Sequence, residues 1–479
     1  MLLTKIPKII HCNKIYNLKK NIEFKYIFTN SNLVKSSSVL VIDNNKKFKY
    51  QYIDNAIKNG CVGLLTNKFI ERYKATQFVV KNLEESLLTI LHYMLPNKPI
   101  NTIGITGTNG KTSVLWYISQ ILTQNNISVK SYGTLGYYLN NKKKNSSTLT
   151  TPSYDVLHQS SFTKKINKYT FIFEASSHAL EQNRLKTLPI DVAVLTNITH
   201  DHLDYHKTLK KYKLAKLKLF TKYLNKDGVA IINDKILGLE KIKKKILKKN
   251  KIITYGKSSS DVYLKKNIQN IYIKIFKKKY FIKILDLSEI ELENLSSAIA
   301  VCLALKIPIN KIFNILENVQ QPEGRIQKIN VIGSSYKVYV DYAHTPDALQ
   351  KILQNFSYTK KKPNIVFGCG GERDKFKRLK MGYIANKYAN KVYITDDNPR
   401  NENPKKIREE IKQNCKKGLE IGDRKTAIIT AINDLKVEEI LIIAGKGHEK
   451  YQYIKNKIIK FNDINVAAKA LFQKVSQCK

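Results

Sequence analysis

Gly107-Thr108-Asn109-Gly110-Lys111-Thr112 follows the apolar run Thr102-Ile103-Gly104-Ile105-Thr106 and opens a helical pattern from about Lys111 to Gln124. Glycines in a strand-to-helix turn let successive backbone N–H groups face a phosphate. A lysine there adds charge opposite the β and γ groups, and the next hydroxyl, here Thr112, can reach magnesium. Residues 107–113, with Ser113 as the last, are therefore candidate nucleotide ligands. The strict spacing of such loops is not met, because Ile105 stands where a first glycine would. The bland alternative is an incidental glycine turn, which the strand before and the helix after argue against. A loop of this kind identifies a nucleotide and says nothing of what accepts its phosphate.

Two more polar clusters follow apolar runs. The run Tyr169 to Phe173 leads into Glu174-Ala175-Ser176-Ser177-His178, and a carboxylate there suits magnesium. A P-loop ATPase acting on nucleic acid is the runner-up at this stage, but it needs an aspartate-ended second strand and a water-positioning group. His200-Asp201-His202-Leu203-Asp204-Tyr205-His206 invites a zinc reading, yet one residue too many separates Asp204 from His206 for the ligand run of zinc hydrolases. Hard oxygen ligands and a triphosphate partner point to magnesium, with a histidine able to join its shell.

These clusters need scaffolds, and the chain divides into three. Residues 1–97 hold short apolar runs (Ser38 to Ile42, Gly63 to Leu65) between polar helical stretches, a small α/β domain ending at Pro96-Asn97-Lys98-Pro99. Residues 98–325 read as a central P-loop domain with a mainly parallel sheet, its further strands at Tyr169 to Phe173, Val192 to Leu195 and Val229 to Ile232. The lysine-rich stretch from Lys241 to Leu287 is expected to form antiparallel strands at an edge or cover. Residues 326–479 restart the alternation, with strands near 338–340, 365–367, 392–394 and 441–443, a C-terminal Rossmann-like doubly wound domain. The fold class is α/β, and the polar clusters fall at the carboxyl ends of strands, where such sheets place their sites.

The formal net charge of +46 suggests nucleic acid or an anionic membrane. The lysines, however, are spread through nearly every element and travel with Ile, Asn and Tyr, whose codons are rich in A and T, so base bias is the simpler cause and no specific nucleic acid is expected. No apolar run approaches the ~20 residues of a membrane span, and Met1 to Ile10 lacks the features of an export signal. Cys12, Cys61, Cys302, Cys369, Cys415 and Cys478 form no Cys-x-x-Cys pair, which fits a reducing compartment. A cytoplasmic protein without membrane contact is expected, and a monomer.

Taken in order, the phosphate loop, Glu174-Ala-Ser-Ser-His, Thr196-Asn197-Ile198-Thr199-His200-Asp201-His202-Leu203-Asp204, Gly324-Arg325 and Asp341-Tyr342-Ala343-His344-Thr345-Pro346 resemble the Mur ligases of peptidoglycan synthesis. The resemblance covers residues 98–479 well and the first domain weakly. It implies an ATP-dependent, ADP-forming ligase that activates a carboxylate as an acyl phosphate and lets an amine attack it. Asp397-Asn398-Pro399-Arg400 and Gly445-Lys446-Gly447-His448-Glu449 resemble the branch that adds meso-2,6-diaminopimelate to UDP-N-acetylmuramoyl-L-alanyl-D-glutamate. The bland alternative for the first run is a turn that merely starts a helix. A lysine-adding relative, an inactive scaffold of the same fold and a polyanion-binding P-loop protein stay open as alternatives.

The resemblance also assigns roles. Lys111, Glu174, His202 and Lys216 are implied in catalysis, Lys216 as N6-carboxylysine, and Thr112, Glu174, His202 and Lys216 as holders of magnesium. For Lys216 the alternative is an ordinary surface lysine. Asn294, Arg325, Asp341 and His344 would join the loop around ATP, and because they span two domains, closure is implied. Thr29, Ser31, Thr150, Thr151, Ser176, Gln182 and Arg184 would hold the UDP-substrate. Arg373, Asp397, Asn398, Pro399, Arg400, Gly445 and Glu449 would hold diaminopimelate, arginines on its carboxylate and acids on its ammonium.

The sequence also departs from the family pattern. Asn30-Ser31-Asn32 replaces an Asp-Ser-Arg start and Ser37-Ser38 a Gly-Asp turn. Glu372 replaces an aspartate and Phe376 a glycine, a costly change if the backbone there has positive φ.

Overall fold

The computed structural model describes residues 1–479 except 46–47, 148, 167, 200, 247–249, 268–269, 284–286, 357–360 and 478–479, so His200 and Cys478 lie outside the described residues. The chain forms two compact units, one of Met1–Ile103 with Ile127–Asp191, the other of Gly104–Asn126 with Val192–Lys479.

The first unit carries a five-stranded sheet in the order Lys14–Tyr16, Thr76–Val79, Cys61–Thr66, Ser38–Ile42, Tyr26–Phe28. The last four strands are parallel and Lys14–Tyr16 is an antiparallel edge. The helix Tyr50–Lys58 buries Ile53 and Ala56, three residues apart, against Phe28, Val34, Leu40 and Leu64. The same unit holds Thr170–Glu174, parallel to Val129–Gly133, whose hairpin partners are Gly136–Leu139 and then Lys142–Asn145. Glu174 is the last residue of its strand, one place later than the sequence suggested. The helix Tyr154–Ser161 ties the unit together. Gln159 bonds Ile27 at both N–H (3.2 Å) and carbonyl (2.7 Å), and Asp155 accepts from Thr29.

In the second unit the strands follow the order Asn101–Thr106, Ile190–Leu195, Leu224–Asn233, Lys251–Tyr255, Val262–Lys266, Asn270–Ile275, Lys278–Lys283, the first two entering from the other unit along the chain. The helix Lys111–Gln124 begins at the residue expected. Within the stretch 241–287, Val262–Lys266, Asn270–Ile275 and Lys278–Lys283 are the expected antiparallel strands at the sheet edge, and the part before them departs from expectation. Leu239–Ile246 is a helix, since Leu239, Ile242 and Ile246 make a buried stripe at helical spacing amid lysines. Lys251–Tyr255 then extends the parallel pairing with Leu224–Asn233, and antiparallel pairing begins with Val262 opposite Ile275.

The C-terminal sheet of the same unit orders Gln327–Lys328, Lys337–Asp341, Ile440–Ala444, Asn364–Phe367, Val392–Ile394, Gly418–Glu420, parallel except for the first. Strand alternation sends Ile365, Phe367 and Ile442 into one core with the helices Pro346–Asn355 and Phe376–Tyr388. Val366, Leu441 and Ile443 enter the other, with Arg424–Asn433 and Asp463–Gln477. Helices on both faces leave the carboxyl ends of the strands open to the loops that follow Asp341, Phe367, Ile394 and Ala444. No helix among the described residues is long and apolar enough to cross a membrane.

Candidate active site

The phosphate loop is clamped by the end of the neighbouring strand. Thr108 N–H donates to the Asn197 carbonyl (2.9 Å), Asn109 N–H to Asn197 Oδ1 (2.9 Å), and Asn197 Nδ2 and Thr196 Oγ1 both donate to the Asn109 carbonyl (3.0 and 2.6 Å). Two glycines make the fit possible. A Cβ on Gly107 (φ +149°) would lie 1.8 Å from Thr196 Oγ1, and one on Gly110 (φ +86°) 2.5 Å from Asn294 Oδ1. Asn294 therefore abuts the loop. Arg325 donates to Thr112 Oγ1 (3.1 Å) and lies over the Tyr342 ring, 4.4 Å from its centroid.

Two lysine side chains converge on one carbonyl, with Lys111 Nζ 2.9 Å and Lys216 Nζ 2.8 Å from the Gly107 oxygen. Lys216 is buried and its Nζ stands over the Tyr212 ring, 4.4 Å from the centroid, which overturns the surface-lysine reading. Burial, reinforced by Lys111, pushes its pKa well below that of an ordinary lysine, with Asp201 pulling the other way. Tyr212 itself shares a 3.0 Å hydrogen bond with Thr108 Oγ1.

Asp201 gathers the opposing charge. Burial raises its pKa, but His202, His344, Lys377 and Lys111 outweigh this and hold it below the usual carboxylate range. His202, at φ +53°, places Nε2 3.3 Å from Asp201 Oδ2. Burial, with Lys377 next in weight, pushes the His344 imidazole down to about 4. The neutral ring's Nδ1–H then points at the Tyr342 carbonyl, 2.8 Å away. Asp341 turns inward, accepting from Ile326 N–H (2.8 Å) and Ala343 N–H (2.7 Å), so it pins the segment after Arg325 to the strand end.

Around the later strand ends the second group of predicted residues meets. A Cβ on Gly370 would lie 3.1 Å from Arg400 Nη1 and 3.9 Å from Arg373 Cγ, so both arginines border this glycine. Arg400 donates to the Gly371 carbonyl (2.6 Å) and is itself at φ +52°. Asp397 Oδ2 would lie 2.8 Å from a Cβ on Gly445. Asn398 Nδ2 donates to Glu449 Oε2 (2.9 Å), and Pro399 packs its carbonyl 2.0 Å from where a Gly371 Cβ would be. Phe376 starts a helix and has no positive φ, so the expected strain is absent there. The left-handed residue is Glu372 (φ +53°), whose Oε1 accepts from Asn401 Nδ2 (2.8 Å).

In the first unit, residues far apart in sequence form one network. Glu174 accepts from Thr134 at both N–H (2.9 Å) and Oγ1 (3.0 Å), and Thr134 Oγ1 stands 3.3 Å from Thr150 Oγ1. Thr151 Oγ1 donates to the Glu174 carbonyl (2.6 Å) and accepts from Ser176 N–H (2.8 Å). Arg184 donates to the Thr151 carbonyl (2.9 Å) and, through Nε, to Gln182 Oε1 (2.8 Å). Thr29 does not join this network, because its hydroxyl donates to Asp155 Oδ1 (3.0 Å), while Ser31 is buried in a short 3-10 turn, Ser31–Leu33.

Sequence reasoning passed over Thr134, Tyr212, Lys377, Arg378 and Lys446. Arg378 is sealed from solvent and joins Glu402 (3.0 Å), Glu410 (2.9 Å) and the Gly370 carbonyl (3.4 Å), holding the turn that presents Arg373. In a chain with 84 lysines and arginines, no local signal separates such a residue from the rest. Position was a usable hint for Thr134 and Lys446, which follow the strands Val129–Gly133 and Ile440–Ala444, but not for Tyr212, Lys377 and Arg378, which lie within helices.

Residues 105–302 match the Mur ligase middle domain, and residues 324–447 match the domain described as Mur ligase, glutamate ligase domain. The UDP-N-acetylmuramoyl-L-alanyl-D-glutamate--2,6-diaminopimelate ligase of Rickettsia bellii (strain RML369-C) is 37% identical over 460 residues, covering 93% of this chain and 95% of that one. The chain belongs to the Mur ligase family. A solved UDP-N-acetylmuramoyl-L-alanyl-D-glutamate--2,6-diaminopimelate ligase structure aligns with this Mur ligase at a TM-score of 0.62 and 27% identity, covering 100% of this chain and 99% of that one. The MurF ligase from Thermotoga maritima, crystallised with ADP, shares the fold at a TM-score of 0.68 and 17% identity, over 96% of this chain and 100% of that one.

Proposed function

We propose that this Mur ligase adds meso-2,6-diaminopimelate to UDP-N-acetylmuramoyl-L-alanyl-D-glutamate at the expense of ATP, through an acyl phosphate. The observation that carries the choice of amine is the strand-end cluster in which Arg373 and Arg400 border Gly370 while Asp397 and Glu449 lie by Gly445 and Asn398. Arginine forks suit a carboxylate, and the acids suit an ammonium, so one amino acid end bearing both groups is recognised by both.

The loop 107–113 fits a nucleotide phosphate, since Gly107 and Gly110 leave space that a Cβ would fill and Lys111 lies across the loop carbonyls. Lys111 offsets charge on the transferring phosphoryl group, with Arg325 and Asn294 beside the nucleotide and His344, neutral, at the facing strand end. Asp341 acts by pinning the segment after Arg325. The hydroxyl of Thr112 and the carboxylate of Glu174 are hard oxygen donors of the kind magnesium takes, with His202 a further ligand. Magnesium, when bound, would supply charge neutralisation to the transferring group. Lys216 fits such a set only as a carbamate. Its lowered pKa favours the neutral amine, whose nitrogen can attack carbon dioxide and lose a proton to give an anionic oxygen ligand.

Thr150, Thr151, Ser176, Gln182 and Arg184 hold the peptide-bearing substrate, with Thr29 and Ser31 toward its uridine end. We assign the three domains to 1–97, 98–325 and 326–479, and expect a cytoplasmic monomer that binds neither membrane nor a specific nucleic acid. Purified protein should release phosphate from ATP only when both the UDP-substrate and meso-diaminopimelate are present. Turnover of L-lysine in preference to meso-diaminopimelate, or ATP hydrolysis without either substrate, would defeat the assignment.

A further inference from the structure

Lys446 is a charged side chain with no exposed surface, and all three of its protons are committed. Nζ lies 3.0 Å from Asn398 Oδ1, 2.8 Å from Glu449 Oε2 and 2.8 Å from the Tyr451 carbonyl. The acceptors come from two segments. Asn398 belongs to the loop after Val392–Ile394, while Glu449 and Tyr451 lie on the lysine's own stretch, which runs from Ile440–Ala444 into the strand Tyr451–Ile454.

The consequence for Asn398 is an enforced orientation. Its Oδ1 also accepts from Tyr453 N–H (3.1 Å), so its amide must turn Nδ2 toward Glu449 Oε2, 2.9 Å away. Glu449 Oε2 thus receives two donors at once, and that fixes its carboxylate, whose side chain keeps 29% of its surface exposed. The backbone is built for this inward turn. Gly445 (φ +115°) and Gly447 (φ +51°) flank the lysine, and a Cβ on Gly447 would lie 2.7 Å from the Gly324 carbonyl.

Charge accounting adds a reason for a lysine in particular. Asp397 and Glu449 bring two negative charges and Lys446 one positive, leaving a net of one negative charge, the complement of a single ammonium. The neighbouring Arg424 is spent on Asp463, 2.7 Å away and equally buried. A neutral residue at 446 would leave two carboxylates crowding one substrate cation and would leave Asn398 Oδ1 held by Tyr453 N–H alone.

We propose that Lys446 is a positioning residue of the amino-acid site, setting the orientation of Asn398 and Glu449 and trimming the local charge to match one substrate ammonium. This rests on the assignment of that cluster to the incoming diamino acid.

Steady-state kinetics on the full chain test it with Lys446→Met, which keeps the length and removes the charge. Truncating one member of a buried hydrogen-bonded charge pair should raise KM for meso-diaminopimelate by about 30-fold or more, with KM for ATP and for the UDP-substrate within about twofold. An unchanged KM for the amino acid, or an equal rise in all three, overturns the proposal. If Lys446→Met does not fold, Lys446→Met/Glu449→Gln, which leaves no unpaired ion in that pair, replaces it. Should Lys446 act through Glu449, this double variant matches Glu449→Gln in amino-acid KM to within about threefold, whereas a further tenfold loss overturns the coupling. The wild type decides the underlying reading separately. If it uses another amino acid, that reading fails, and the same KM comparison made with the amino acid it does use still judges Lys446.

Discussion

Lys216 shows how little a single residue's chemistry reveals before its surroundings are known. In Tyr212-Lys213-Leu214-Ala215-Lys216 an apolarity rule would bury Leu214, yet the helix Leu209–Lys218 buries Tyr212, Ala215 and Lys216 and leaves Leu214 46% exposed. The spacing of three and four is regular; only the identity of the buried face is unexpected, because the lysine's partner, the Gly107 carbonyl, lies 109 residues away. Burial and Lys111 disfavour its protonated form, and the neutral amine is the form the proposed carbamate requires. Replacing it should therefore cost far more than a surface lysine would. Lys216→Ala is expected to lose at least about 100-fold in kcat, the scale of removing a preorganised group that acts on the transition state, with partial recovery on adding a short carboxylate such as acetate. A variant with unimpaired kcat would exclude the role.

Elements place such groups with a tolerance that can be probed from the neighbouring strand. Thr170–Glu174 runs parallel to Val129–Gly133, with Phe173 opposite Tyr132, which sets Gly133 beside Glu174. A Cβ on Gly133 would fall 2.3 Å from Glu174 Oε1, while the backbone at Gly133 is one that alanine can adopt. Gly133→Ala should therefore spare the fold and displace the carboxylate, lowering kcat by about 10- to 100-fold, in line with the cost of a misplacement of about 1 Å. The measurement is kcat beside a thermal midpoint, and a kcat equal to wild type would remove Glu174's position from the account.

The strands themselves were legible from the sequence wherever apolar residues alternate or run, as at Ile365-Val366-Phe367, because period two is a local property. The segment 239–246 was misread since its stripe of Leu239, Ile242 and Ile246 is interrupted by lysines that a helix can point outward. The strand-end residues were legible as clusters, but not their partners. Thr134 beneath Glu174 and Asp155 beneath Thr29 come from segments 40 and 126 residues away. Strain at Phe376 was a conditional expectation from residue type, and it vanished once that position proved helical, moving the left-handed conformation to Glu372.

At the scale of the whole molecule, 84 lysines and arginines against 38 acids leave a charge of +46 whatever its evolutionary cause. Charge spread over a surface still sums to a long-range field, and that field does not ask whether it was selected. Both nucleotide substrates of the proposed reaction are multiply anionic, whereas meso-diaminopimelate is close to neutral overall. Steering therefore should favour the first two and pass over the third. Between about 20 and 300 mM salt the Debye length shrinks from roughly 20 Å to under 6 Å, so kcat/KM for ATP and for the UDP-substrate should fall several-fold. The same ratio for the amino acid should change little, and kcat, which is read with the substrates already bound, should stay nearly constant. Equal salt sensitivity in all three ratios would show that ions act on the fold or on a shared step, and flat profiles for the nucleotides would show that the dispersed lysines create no field their substrates feel.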